Sequence, residues 1–205
     1  MSSDLIDAYN RLAVDYDKNR GLFDMSAVLR EFYACLEGRK GHLLDLGCGA
    51  GEPGPAFFID KGWKVTGVDF SEKMLELAGK YQPGMNSILA DITKVAFLPE
   101  QFDAVTAIYS LFHIEKEKHP KLFYDLYQWL KPGGKMLFTY ACKEYTGHAE
   151  FSGYIRFMSE NLFYSHTTPQ KLYAMLEATG FDLLARDYRD IGGERFLWVA
   201  LGKPA

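Results

Sequence analysis

No stretch of this 205-residue chain comes near the roughly 20 consecutive apolar residues that a membrane-spanning helix needs. Cysteine is scarce: Cys35, Cys48 and Cys142 are the only three, and no two form a CxxC pair. An odd, scattered set argues against a disulfide framework and a zinc ribbon, and for a reducing compartment. An excess of basic residues is also lacking. The formal net charge is −4, so the electrostatic footprint of a nucleic-acid binder is missing. Met1-Ser2-Ser3-Asp4 shows no basic-then-apolar signal pattern, and the expected location is cytoplasmic. There is no internal repeat, low-complexity tract or dividing linker, so 1–205 reads as a single domain. The histidines and carboxylates have no metal-ligand spacing, and no metal is expected.

What is present is enough apolar material for a full core, at 48% of residues, and many aromatics, at 15%. Leu5, Tyr9, Leu12 and Tyr16 recur at helical spacing. A second helix is expected over 25–36, so 1–38 reads as a helical segment. Strands are expected over 42–46, 63–69, 86–90, 102–108 and 135–141. Helices are expected over 52–61, from Ser71 to about position 80, and from Pro120 to the Lys131-Pro132-Gly133-Gly134 break. Positions 142–166 are less regular. Thr168-Pro169 opens a helix that stops at Gly180, and strands over 181–188 and 195–201 flank Gly192-Gly193 as a hairpin. Alternating strands and helices imply a doubly wound α/β fold in three α-β-α layers, with a mainly parallel sheet and an antiparallel last strand.

Leu43-Leu44-Asp45-Leu46-Gly47-Cys48-Gly49-Ala50-Gly51 is an apolar strand that breaks into alternating glycines. In such sheets ligands bind beyond the carboxyl ends of the strands. Asp45, Asp69 and Asp91 all fall at strand ends. Asp69 follows Gly49 by 20 residues, which suits a carboxylate on ribose hydroxyls. Gly49-Ala50-Gly51-Glu52-Pro53-Gly54 also spells G-x-G-x-x-G, the dinucleotide fingerprint. A pyrophosphate, however, wants free N–H donors and little negative charge, whereas Asp45 and Glu52 flank the turn and Pro53 removes a donor. A carboxylate there suits a cationic group such as the ammonium of S-adenosylmethionine.

The chain resembles the class I, Rossmann-like S-adenosylmethionine-dependent methyltransferases of small-molecule type. The resemblance is carried by the glycine run, Val65-Thr66-Gly67-Val68-Asp69-Phe70-Ser71, Ala90-Asp91, Phe102-Asp103-Ala104-Val105 and Leu130-Lys131-Pro132-Gly133-Gly134. It implies a seven-stranded sheet whose last strand is antiparallel. It also implies roles for matching residues. Asp45, Gly47, Cys48, Gly49 and Gly51 would hold the methionine end, and Asp69 the ribose. Phe70 and Met74 would pack on adenine, with Asp91 and Ile92 at its amino edge. Tyr109 would line the sulfonium region. Tyr9, Tyr16 and Arg20 resemble a lid helix within 1–38.

Methyl transfer from a sulfonium needs positioning above all, and a base only where the acceptor must lose a proton. His113 and His166 rank first as acceptor-side catalytic residues, with Tyr164 beside them. Tyr140, Glu144 and His148 are further candidates. The segment 142–166 sits where a substrate cap is inserted. Its aromatics read either as an acceptor pocket or as a short helix packing on the sheet. The expected partner is a small-molecule methyl acceptor, with no nucleic acid and no membrane, and oligomeric state stays open. Two alternatives remain: a catalytically silent S-adenosylmethionine or S-adenosylhomocysteine binder, and an NAD-dependent oxidoreductase.

Overall fold

The computed structural model describes residues 3–18, 23–38 and 40–205. Along the chain run α1 (Ser3–Lys18), α2 (Ser26–Cys35), β1 (His42–Leu46), α3 (Gly54–Asp60), β2 (Lys64–Asp69), α4 (Glu72–Tyr81), β3 (Asn86–Leu89) and β4 (Phe102–Ala107). Two 3₁₀ turns, Leu111–His113 and Lys116–Lys118, lead to α5 (His119–Trp129) and β5 (Leu130–Tyr140). Then come α6 (Lys143–Thr146), β6 (Phe151–Phe157), β7 (Glu160–His166), α7 (Pro169–Thr179), β8 (Asp182–Ile191) and β9 (Glu194–Gly202).

Seven strands form one sheet in the order β3-β2-β1-β4-β5-β9-β8. The pairings from β3 to β5 are parallel, and β9 runs antiparallel to both β5 and β8. β1 and β4 are almost wholly buried because helices cover both faces of a parallel sheet. Alternation then splits the core. Leu44, Leu46, Val105 and Ala107 join Leu122, Leu126 and Leu172 of α5 and α7 on one face. Leu43, Val65 and Ala104 join Leu29, Phe32 and Phe58 of α2 and α3 on the other. Asp45 and Thr106, direct partners across β1 and β4, point to this second face.

The helix signals act as their chemistry requires. Thr168 Oγ1 accepts the Lys171 N–H at 3.3 Å and Pro169 begins α7, which ends on Gly180 at φ 104°. Ser71 Oγ accepts the Met74 N–H at 3.2 Å to cap α4, and it donates to Asn10 Oδ1 of α1 at 2.7 Å. One hydroxyl thus caps a helix and fastens the N-terminal helix above it.

Positions 142–166 differ from expectation. They form the short α6 and a separate two-stranded hairpin, β6–β7. Phe151, Ile155 and Phe157 face inward, while Ser152, Tyr154 and Arg156 are exposed. β5 also starts five residues early, because Leu130 already pairs with Phe102 before the register shifts past the Pro-Gly-Gly segment. Glu160 of the hairpin takes a two-pronged ion pair from Arg11 of α1, at 2.7 and 2.8 Å. α1 and the hairpin thus share one roof.

Removing a cap alone costs about 1 kcal/mol, and Thr168→Ala should lower Tm accordingly. Ser71→Ala loses the cap and the Asn10 bond together, so thermal melts should show it to be the more destabilised of the two variants.

Candidate active site

The glycine turn is built by backbone demands. Gly47 sits at φ 78°, and a Cβ there would lie 2.5 Å from Ser110 Cβ. Gly49 at φ 50° has open space around its missing Cβ, so only the left-handed backbone selects glycine at that position. Gly47 and Cys48 donate their N–H groups to Val68 O at 2.8 and 3.1 Å, which lays the turn across the end of β2. Asp69 then accepts from Gly49 N–H at 2.9 Å and from Ser71 N–H at 2.8 Å.

Asp45 and Asp69 are buried, at 5% and 6% exposure. Desolvation pushes Asp45 up to about 7, opposed by the Thr106 hydroxyl donated to its Oδ1 at 2.5 Å and assisted by the nearby charge of Asp69. Desolvation raises Asp69 to about 6 against three backbone N–H donors. Burial holds the Cys48 thiol well above its usual range, which makes it a packing group.

These residues open onto a cleft of ≈ 1050 Å³ counted out to its mouth. Its polar inventory is lopsided. Asp45, Glu52, Asp69 and Glu194 line it, and no lysine or arginine does among the described residues. Ser110 Oγ is buried there without a hydrogen-bond partner. Phe70 and Met74 form a wall beside Asp69, and the Tyr9 ring meets Phe70 edge-on at 5.4 Å.

His113 sits on the same cleft, between the hairpin and α1. Its Nδ1 lies 2.7 Å from the Phe163 carbonyl and its Nε2 lies 2.7 Å from the Tyr9 hydroxyl. A carbonyl only accepts, so Nδ1 carries the proton and Tyr9 O–H donates to a bare Nε2. Burial lowers this imidazole to about 4, and it is neutral at pH 7. Tyr164 stacks on Phe112 at 4.9 Å with its ring also 4.9 Å from His113.

Of the residues singled out in the sequence, Tyr9, Asp45, Gly47, Cys48, Gly49, Asp69, Phe70, Met74, Tyr109, His113 and Tyr164 all line this cleft. Gly51 supports the turn from behind, its N–H on Cys48 O at 2.9 Å. Asp91 lies in an adjoining depression that shares His113 with the cleft. It accepts from Thr93 N–H and Oγ1 at 2.9 and 2.7 Å. Ile92 is buried in the core on the other face of the sheet. His166 lies away from the cleft, fully buried, with Nε2 2.8 Å from Thr146 Oγ1 and Nδ1 3.0 Å from Thr167 O. Tyr140 is likewise inside, bonded to His119 Nδ1 at 2.9 Å and taking Thr167 N–H at 3.2 Å. Glu144 and His148 are exposed. Arg20 and the side chain of Tyr16 lie outside the described residues. Sequence reasoning passed over Ser110 and Glu194. The first is a lone hydroxyl after an apolar strand. The second follows a Gly-Gly turn and reads as a solvated hairpin residue.

The sheet order, and a cleft over the carboxyl ends of β1, β2 and β4, define an α/β domain of nucleoside-binding type. Residues 44–138 match the model of a family described as "Methyltransferase domain". That domain match and the fold make the chain similar to the class I, Rossmann-like S-adenosylmethionine-dependent methyltransferases. It is 32% identical over 170 residues to phosphoethanolamine N-methyltransferase 3 of Arabidopsis thaliana, covering 78% of this chain and 33% of that protein. The chain therefore spans about a third of the length of that relative. An S-adenosylmethionine-dependent methyltransferase structure from Mesorhizobium loti superposes with TM-score 0.72 at 23% identity, covering 89% of this chain and 100% of that one. A Burkholderia thailandensis 1,6-didemethyltoxoflavin-N1-methyltransferase with bound S-adenosylhomocysteine gives 0.68 at 18%, covering 100% of this chain and 92% of that one.

The raised carboxylates give a pH signature with a definite sign. Both folded values, about 7 and about 6, exceed the ordinary Asp value near 3.9. The ligand-free protein therefore binds extra protons over that window and loses stability as pH rises through it. A cationic ligand favours the ionised carboxylates, so calorimetry should show S-adenosylmethionine affinity rising from pH 5.5 to 8. Asp45→Asn should flatten most of that rise.

Proposed function

We propose that the chain is an S-adenosylmethionine-dependent methyltransferase acting on a small-molecule acceptor. The observation that carries this reading is the cleft's charge. Two buried, proton-hungry carboxylates stand at the glycine turn with no cation beside them among the described residues. A ligand with an ammonium and a sulfonium relieves that cost, and a pyrophosphate would increase it. The same contrast disfavours the NAD-dependent reading of the G-x-G-x-x-G run. The unpartnered Ser110 hydroxyl offers a further polar contact at the same end of the cleft.

In this reading Asp45 and the Gly47–Gly49 backbone hold the amino-acid end, Asp69 takes the ribose hydroxyls, and Phe70 and Met74 flank the adenine. Asp91 fixes the loop after β3 through its bonds to Thr93. When bound, S-adenosylmethionine supplies an already activated methyl group. The protein's task is then to aim the acceptor and exclude water, a contribution of roughly 7–11 kcal/mol in favourable systems.

His113 and Tyr9 form the acceptor-side pair. Tyr9 lines the cleft and donates its proton to His113 Nε2. Burial keeps His113 neutral, so the pair orients the acceptor, and a proton the acceptor must lose leaves to water. Tyr164 supports this pair by packing on His113. His166 positions the hairpin by joining β7 to α6. The unpaired cysteines fit a reducing, cytoplasmic setting. Among the described residues no helix is long and apolar enough to cross a membrane. The relatives' phosphoethanolamine activity supports a small amine-bearing molecule as the broad acceptor type.

Mass spectrometry of a metabolite panel incubated with S-adenosylmethionine should reveal one methylated product, and its absence with every acceptor would leave only a silent binder. His113→Ala and Tyr9→Phe should each lower kcat by about 10²-fold or more, with S-adenosylhomocysteine affinity nearly unchanged. Asp69→Ala should instead weaken the cofactor. His166→Ala should lower Tm and leave kcat close to wild type.

A further inference from the structure

We infer that the methyl acceptor is an unphosphorylated amine and that Glu194 anchors its nitrogen. This rests on the methyltransferase reading above and deepens it to a substrate class. The carboxylates at the glycine turn are accounted for by the cofactor, but Glu194 is not. It begins β9, just past the Gly192-Gly193 turn, and lines the cleft from the side of the last strand. Burial raises its carboxyl above the ordinary range. Tyr145 O–H donates to its Oε1 at 2.9 Å. Among the described residues no lysine or arginine pairs with it, and none lines the cleft.

The surroundings of Glu194 are aromatic. The Tyr145 ring lies 4.4 Å from Phe196 and 5.3 Å from Tyr164. Phe112 is stacked between Tyr164 and Phe196, at 4.9 and 5.0 Å. Tyr145 spends its one proton on Glu194, so across the 3.3 Å contact Tyr164 O–H is the donor to Tyr145 Oη. Tyr164 O–H thus points at Tyr145 and Tyr145 O–H at the carboxylate, and the half-buried Glu194 lines the cleft together with Phe112 and Tyr164. An aromatic lining and a carboxylate recognise a cationic nitrogen. They repel a phosphate, whose two negative charges would meet Glu194 with no counter-cation among the described lining residues. The cleft therefore favours an unphosphorylated amine over a phosphoamine.

The step balances as follows. The bound ammonium first loses one proton to water, while Tyr9 O–H stays donated to His113 Nε2. The freed nitrogen lone pair forms a bond to the methyl carbon. The carbon–sulfur bond breaks with its electron pair kept by sulfur, leaving S-adenosylhomocysteine and a methylated ammonium. Glu194 holds an N–H throughout and stays ionised.

The test uses the full chain saturated with S-adenosylhomocysteine, with 2-phenylethylamine, ethanolamine and phosphoethanolamine as calorimetric probes, and mass spectrometry of turnover with S-adenosylmethionine. An unphosphorylated amine should bind at least about tenfold tighter than phosphoethanolamine and gain a methyl group. Glu194→Gln should weaken that amine by about tenfold or more, equivalent to about 1.4 kcal/mol, and leave S-adenosylhomocysteine binding unchanged. Tyr145→Phe should weaken it less, and it carries the test if the first variant fails to fold. Equal or tighter phosphoethanolamine binding, no binding of either amine, or unchanged amine affinity in a folded variant overturns the proposal. Methylation of a phenol or carboxylate instead overturns it while the methyltransferase reading stands. Failure to bind S-adenosylhomocysteine overturns both.

Discussion

Asp69 is the carboxylate on which the site's geometry depends. One oxygen takes the Gly49 N–H and the other the Ser71 N–H, so the glycine turn after β1 and the cap of α4 are set by the same group. Ser71 passes the constraint onward through its hydroxyl to Asn10 of α1. The N-terminal helix, which brings Tyr9 over the cleft, is thereby referenced to the end of β2. A buried carboxylate held by backbone donors is a rigid object, because moving it would strand those donors without partners. That rigidity lets three separate segments of chain agree on one ligand position.

The second constraint is electrostatic. Burying Asp45 and Asp69 side by side is unfavourable, which is why both hold protons unusually tightly. The fold tolerates this because Thr106, one strand over in register, and the turn backbone supply donors. A cleft so arranged favours cationic ligands before any specific contact is considered. Methyl transfer from a sulfonium asks for little covalent chemistry, so much of the catalytic task reduces to this preset charge and to orientation.

Much of this was legible in the sequence where local chemistry and global fold agree. β1 spans His42–Leu46 as its apolar run predicts, Ser71 and Thr168 cap the helices they precede, and Gly180 ends α7. The hairpin β6–β7 was not legible. Its two-residue turn is Met158-Ser159, with Met158 at φ 51°, and neither residue carries the Asn-Gly or Asp-Gly signal of such turns. The inward alternation of Phe151, Ile155 and Phe157 was present but was masked by Tyr154 on the exposed side. His113 and His166 looked alike in the sequence, since each follows an apolar or aromatic run. Only tertiary structure separates a ring facing Tyr9 in the cleft from one sealed between Thr146 and Thr167. Glu194 was invisible for the same reason: its meaning comes from Tyr145, 49 residues away along the chain.

Tyr9 joins the two halves of the cleft. Its ring edge rests on Phe70, beside the nucleoside end, and its hydroxyl meets His113, beside the acceptor end. α1, which carries it, is held at adjacent positions of one turn, by Ser71 through Asn10 and by Glu160 through Arg11. The first anchor belongs to the sheet that positions the donor, and the second to the hairpin that carries Tyr164 and supplies the Phe163 carbonyl to His113. Displacing α1 would therefore break the Tyr9–His113 bond and open the nucleoside wall together. Donor and acceptor ends are one structural unit because a single helix, pinned to both, supplies the residue they share.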